Sequence, residues 1–185
     1  MNTAQPTSES PTAQSSFLVA IVVGLMVAVG LGTYGAVHPP GTVAINVAGF
    51  SSFLAVKSWL ATLTLLLAIV QLVTALKIYG KLRGTSPTVN FLHRWSGRAA
   101  VAASLPVAAH CLYIAGFQAT NARALLHSIA GCFFYGVFTL KMLALSDNQS
   151  PGWALPVSGG AAFAALTVLW ATSSLWFFAT FGVIF

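Results

Sequence analysis

Three of the four histidines, His38, His110 and His127, fall near the same edge of successive hydrophobic stretches. His110 stands toward the end of "RAAVAASLPVAAHCLYIAGF", and His127 stands in the first turns of "NARALLHSIAGCFFYGVFTLKMLAL". The break between the two stretches is short and centred near Ala119, nine residues after His110 and eight before His127. The two stretches therefore read as an antiparallel hairpin that sets the two imidazoles at matched depth. Ionisable or ligating side chains are costly in hydrocarbon, so such residues are read as functional by default. Two level imidazoles in a helical bundle are what a six-coordinate b-type haem requires.

The residues around the pair suit such a group. Gly131 follows His127 by one turn on nearly the same face. Ala108 and Ala109 precede His110, Gly116 lies beyond it, and Pro106 predicts a bend that opens space. Arg123 stands one turn before His127, where it can meet a propionate. Lys57 is expected about two turns inside the second apolar stretch, yet the only acids of the chain are Glu9 and Asp147, both far from it. An ammonium at that depth needs an anion from elsewhere or must snorkel to the surface. The expected site is thus one non-covalent haem b, ligated by His110 and His127, with Lys57, Arg123 and Gly131 around it.

Other readings stay open. A histidine in a membrane helix also serves as a hydrogen-bonding partner for a neighbouring helix. Helices packed at about 8–10 Å are too close for an imidazole–iron–imidazole stack, so the third and fourth helices must splay. His38, in "AVHPPG", is an alternative partner from across the bundle or an interfacial loop residue. A second haem finds no ligand pair. Fourteen residues before His110 stands Ser96, fourteen after His127 stands Lys141, and His93 points about 100° away from the His110 direction. Met142 is the one soft substitute on that side. His93 opens "HRWSGR", which repeats the His-x-x-x-Gly spacing of "HSIAG" and equally suits an interfacial cluster for lipid phosphate. Cys111 and Cys132 differ by five residues in depth, which disfavours a disulfide, and no Cys-x-x-Cys-His motif offers thioether attachment. No stretch carries an acid for nucleophile–base–acid catalysis or a phosphate-binding glycine loop.

The elements that must hold these residues are membrane helices. Only 5% of the residues are charged, 57% are hydrophobic, and the mean hydropathy is +0.86. A soluble domain could not cover its surface with so few charges. Five stretches are long enough to span, near Ser16–Val37, Phe50–Tyr79, Asn90–Phe117, Asn121–Leu145 and Leu155–Phe185. Between them lie Pro39, Pro40 and Gly41, then Gly80, Gly84 and Pro87, then Asp147, Pro151 and Gly152. The fold expected is an all-α integral membrane bundle of five transmembrane helices occupying residues 16–185. The polar, Ser/Thr/Pro-rich residues 1–15 read as a disordered tail without the cationic start of a signal peptide.

The basic residues predict orientation. Lys77, Lys81, Arg83, Arg94, Arg98 and Lys141 gather at one side, and Lys57 and Arg123 at the other. By the positive-inside rule the N-terminus is cytoplasmic and the C-terminus outside, in a bacterial cytoplasmic membrane. The formal charge of +6 is therefore no nucleic-acid footprint, since the cations sit at helix ends and form no basic face.

The strings "HRWSGRAA", "PVAAHCLYIAGFQ", "LLHSIAGCFFYGVFTLKML", "PGWALPVSGG" and "TSSLWFF" resemble a family of small, uncharacterised bacterial membrane proteins with five spans. That resemblance implies fold and topology and brings no activity. More distantly, the histidine-bearing bundle is similar to cytochrome b561 and ferric-reductase-type haem membrane domains, from which it departs by lacking a second ligand pair. The function expected is a b-type cytochrome subunit passing electrons between a quinol or membrane redox partner and an acceptor at the outer face. With little mass outside the membrane, it would work within a hetero-oligomeric complex with other redox subunits and lipids, and quinone is the second cofactor expected. The alternative is a haem-free anchor or assembly subunit. A transporter is disfavoured by the lack of an internal repeat and of a coupling carboxylate.

Overall fold

The computed structural model describes residues 11–41, 49–147 and 150–185, and among them no strand occurs. The helices are α1 (Pro11–Val37), α2 (Phe53–Ile78), α3 (Pro87–His110), α4 (Ala122–Ser146), α5 (Ala154–Trp170) and α6 (Trp176–Phe181). A π-helical turn at Cys111–Ala115 extends α3, and another at Ala171–Leu175 joins α5 to α6 without a break. Five helical stretches are long and apolar enough to cross a membrane, the third running Pro87–Ala115 and the fifth Ala154–Phe181. This is a multi-pass membrane protein.

Local chemistry sets the helix starts. Ser52, Ser86 and Asn121 each turn a side-chain oxygen onto the backbone N–H three residues on, capping α2, α3 and α4. Because Ser52 caps α2, the helix begins later than the apolar run. Lys57 accordingly lies one turn inside α2, shallower than the two turns expected. At the other terminus of the chain's apolar region, α1 begins at Pro11, so residues 11–15 are helical where a tail was expected. The rest of that tail, residues 1–10, lies outside the described residues.

Helix pairing follows the small residues. A Cβ on Gly24 would lie 2.7 Å from the Gly136 carbonyl oxygen, and one on Gly136 would lie 2.6 Å from the Gly24 carbonyl oxygen. This glycine contact lets the α1 and α4 backbones touch, the form of association that lipid favours. On the other flank, Gln71 of α2 donates to Ser96 Oγ at 2.8 Å and to the His93 carbonyl, tying α2 to α3. In consequence α3 packs along α2, while α4 packs between α1 and α5. The chain does turn back between α3 and α4 as a hairpin, but these consecutive helices share no extended contact. They are splayed.

The turn itself is fastened to the bundle. Ser128 Oγ accepts from Gln118 N at 2.9 Å and donates to Gln118 O at 3.1 Å. Gly116 has φ +69°, a left-handed conformation open to glycine, and a Cβ there would lie 2.9 Å from the Gly35 carbonyl oxygen. Phe117 N donates to that same carbonyl at 2.7 Å, anchoring the hairpin on the end of α1. Leu18, Val19, Val22, Leu25, Met26 and Val29 of α1 are exposed, as a lipid-facing stripe must be.

Candidate functional site: a cationic cavity between the splayed helices

The gap left by α3 and α4 is a cavity of about 270 Å³, lined from all five spans toward the hairpin end. Its volume lies just below the usual range of ligand sites, about 300–1,000 Å³. Its polar lining includes Lys57, Cys111, Arg123, His127, Tyr135, Ser104 and Thr64, and no carboxylate. Leu31, Leu54, Val107, Phe134, Leu166 and Leu169 supply apolar wall. Tyr135 also lines it, and its hydroxyl donates to Ser104 Oγ at 3.1 Å and so links α4 to α3.

His127 is held in one orientation. Thr172 Oγ1 lies 2.7 Å from the Val168 carbonyl oxygen, to which it gives its single proton. The same oxygen lies 2.9 Å from His127 Nδ1 and must therefore accept from it. With Nδ1 as the donor, Nε2 is the accepting nitrogen of the ring. That Nε2 lies 4.0 Å from Cys111 Sγ, and Lys57 Nζ lies 3.7 Å from the same sulfur. Arg123 donates to the Thr172 carbonyl oxygen at 2.7 Å, with its guanidinium 4.0 Å above the Trp176 ring. Thr172 thus orients both the imidazole and the guanidinium. It belongs to one π turn and Cys111 to the other, and single π turns inside α-helices are frequent at functional sites.

The structure brings together His127, Lys57, Arg123 and Gly131, all on the cavity wall. It leaves His110 and His38 off that wall. The His110 ring packs on Phe53 with centroids 4.9 Å apart. One residue along the helix turns a side chain by about 100°, so Cys111 faces the cavity where His110 was expected. His38 lies between Tyr34, stacked at 4.9 Å, and Tyr113 at 4.8 Å. Among the described residues no group of three or more His, Cys, Asp or Glu converges as a metal cluster.

Cys111, Thr172 and Trp176 are participants that sequence reasoning missed. Cys111 and Cys132 are both free, and the first had been weighed only as half of a disulfide. The hydroxyl run Thr172, Ser173, Ser174 inside an apolar span is the available signal for Thr172.

At the far end of the bundle His93 repeats the device. Thr74 Oγ1 donates to the Val70 carbonyl oxygen at 2.7 Å and meets His93 Nδ1 at 2.8 Å. His93 is thereby a packing partner of α2, while the neighbouring Arg98 lies 5.0 Å above the Trp95 ring.

Residues 17–185 match the model of a family of unknown function, DUF6529. The chain belongs to this family. No curated protein and no solved structure matches it, and the comparisons give no support to the likeness to cytochrome b561 and ferric-reductase-type domains.

Proposed function

We propose that this DUF6529 protein is a membrane electron-transfer subunit that holds one b-type haem in the cavity between α3 and α4, with His127 as an axial ligand. The observation that carries the reading is the contact of His127 Nδ1 with Thr172 Oγ1, which orients the ring. Its Nε2, which meets Cys111 Sγ at 4.0 Å, faces a cavity whose wall contains two cations and no carboxylate. Metal-bound histidines characteristically donate their other ring N–H to an oriented acceptor, and Thr172 Oγ1 is such an acceptor.

The donor set fits a haem in three respects. One imidazole nitrogen is oriented toward the cavity, Gly131, Ala108, Ala115 and Gly116 keep the wall thin, and Lys57 and Arg123 can neutralise propionates. The cavity of about 270 Å³ between the splayed α3 and α4 is smaller than a porphyrin, so holding one would require these helices to part further. Bound there, the haem supplies a one-electron couple. The protein's own part is to fix the imidazole through Thr172, to place positive charge at the hairpin end, and to keep water out with the Phe134, Leu166 and Leu169 side. In this reading the cations Lys77, Lys81, Arg83, Arg94 and Arg98 face the cytoplasm of a bacterial inner membrane and the cavity lies in the outer half. Electrons then pass between a quinol or membrane redox partner and an acceptor at the outer face, within a larger complex.

One observation favours a second reading, a haem-free anchor subunit. His110 and His38 are spent on ring packing against Phe53, Tyr34 and Tyr113. Haem content separates the two. Protein purified from haem-replete cells should carry one haem per chain, and His127→Leu should carry none while still inserting in the membrane. Haem-free wild-type protein would establish the anchor instead.

A further inference from the structure

We propose that the cavity, at the volume it has, is an acyl-accepting site in which Cys111 is the nucleophile and His127 its general base. No porphyrin and no movement of α3 or α4 is required, so this site stands apart from the haem reading. Four hydrogen bonds run through it in one direction. Lys57 Nζ donates to Cys111 Sγ at 3.7 Å, and the Cys111 thiol meets His127 Nε2 at 4.0 Å. His127 Nδ1 then meets Thr172 Oγ1 at 2.9 Å, and Thr172 Oγ1 donates to the Val168 carbonyl oxygen at 2.7 Å. With Nδ1 as the donor, Nε2 is the ring nitrogen that takes the thiol proton. A nucleophile within reach of a base, itself oriented by a third group, is the arrangement that activates cysteine and serine in covalent catalysis. Here the third group is the Thr172 hydroxyl, so the arrangement needs no carboxylate.

The cavity wall selects the electrophile. Leu54, Val107, Phe134, Leu166 and Leu169 offer apolar surface to a hydrocarbon chain, while Lys57 and Arg123 bring positive charge unopposed by any carboxylate on the wall. An acyl group meets both conditions, because its chain is apolar and its carbonyl oxygen gains negative charge when sulfur adds to the carbon. The donor is an acyl thioester, since one thioester replaces another at little cost, whereas an oxygen ester is the more stable bond. Cys111 Sγ adds to the carbonyl carbon as its proton passes to His127 Nε2. The carbonyl then re-forms, the carbon–sulfur bond of the donor breaks, and His127 returns the proton to the departing thiol. The exchange leaves an S-acyl Cys111 and a free thiol, with nothing oxidised or reduced. Lys57 also has its place in this chemistry: it stands beside the sulfur where charge develops.

The test incubates the full-length protein in detergent with S-octanoyl-N-acetylcysteamine. Acylation is followed by intact mass and located by peptide mapping, with haem content measured on the same sample. Cys132, also free and on the same wall, is the internal control. The wild type should gain one octanoyl group, on Cys111 and not on Cys132. General base catalysis is worth about 10²–10⁴-fold, so His127→Gln should slow acylation by about 100-fold or more. Lys57→Met should slow it as well. Because the wild type is read against its own second cysteine, a variant that fails to fold does not blunt the test. No adduct in the wild type, equal acylation of Cys132, or an undiminished rate in His127→Gln would overturn the proposal. Haem uptake without acylation would overturn it and leave the haem reading standing, and acylation of a haem-free wild type would do the reverse.

Discussion

The imidazole of His127 is oriented by Thr172. A hydroxyl that has already given its proton to the Val168 carbonyl can only accept from Nδ1, at 2.9 Å. Nε2 is therefore the accepting nitrogen on the cavity side. Losing a hydrogen bond of this kind typically weakens metal affinity by about 10–100-fold. Thr172→Val should weaken haem binding by about that factor, while Thr172→Ser, which keeps the hydroxyl, should restore it. A haem titration of the detergent-solubilised protein reads the difference. Equal affinities for the Val and Ser variants would show that the hydroxyl merely packs.

Lys57 links α2 to the sulfur of Cys111, and no carboxylate on the cavity wall offsets its charge. In Lys57→Met the apolar stem is preserved and the charge is gone. The variant should insert normally yet lose haem or show a lower midpoint potential, because removing a cation beside the metal favours the more positive ferric state. Redox titration followed optically measures this. Full haem content with an unchanged potential would remove Lys57 from the site.

The glycine contact between α1 and α4 makes a prediction about stability that is independent of any cofactor. A Cβ at Gly136 would lie 2.6 Å from the Gly24 carbonyl oxygen and 2.8 Å from Ala28 Cβ, with backbone on one side and no flexible side chain to yield. Overpacking of this kind costs about 1–3 kcal/mol. Gly136→Val should lower the thermal unfolding midpoint in detergent, and Gly30→Val, where a Cβ meets nothing within 4 Å, should leave it unchanged. Equal midpoints for the two variants would deny the close approach.

Topology can be read with reporters. A fusion after Phe185 should be active only outside the cytoplasm, and one placed within Arg83–Ser86 only inside it. The reverse pattern would invert the membrane sides and leave the cavity itself untouched.

The five helices were legible because composition and length alone separate apolar spans from the Pro- and Gly-bearing breaks between them. Lys57, Arg123, His127 and Gly131 were legible as a group because each lies within about three turns of the hairpin end of its helix. The facing of His110 was not. Depth along a helix is fixed by counting from its end, whereas azimuth depends on which helices become neighbours. Here the Gly24–Gly136 contact draws α4 to α1, and the Gln71–Ser96 bond holds α3 on α2. With α3 fixed on α2 in this way, Cys111 lines the cavity and His110 meets Phe53. The two π turns carry no sequence signature of their own, so the role of Thr172 emerged only with the fold.

The central claim, that the cavity holds a haem on His127, is tested most directly by one spectrum. Protein purified from haem-replete cells is recorded oxidised and then dithionite-reduced, beside His127→Leu. The wild type should give a Soret band that shifts on reduction and a haem-to-chain ratio near one, and the variant should give neither. A wild type without Soret absorbance, or a His127→Leu variant with an unaltered spectrum, would contradict the account.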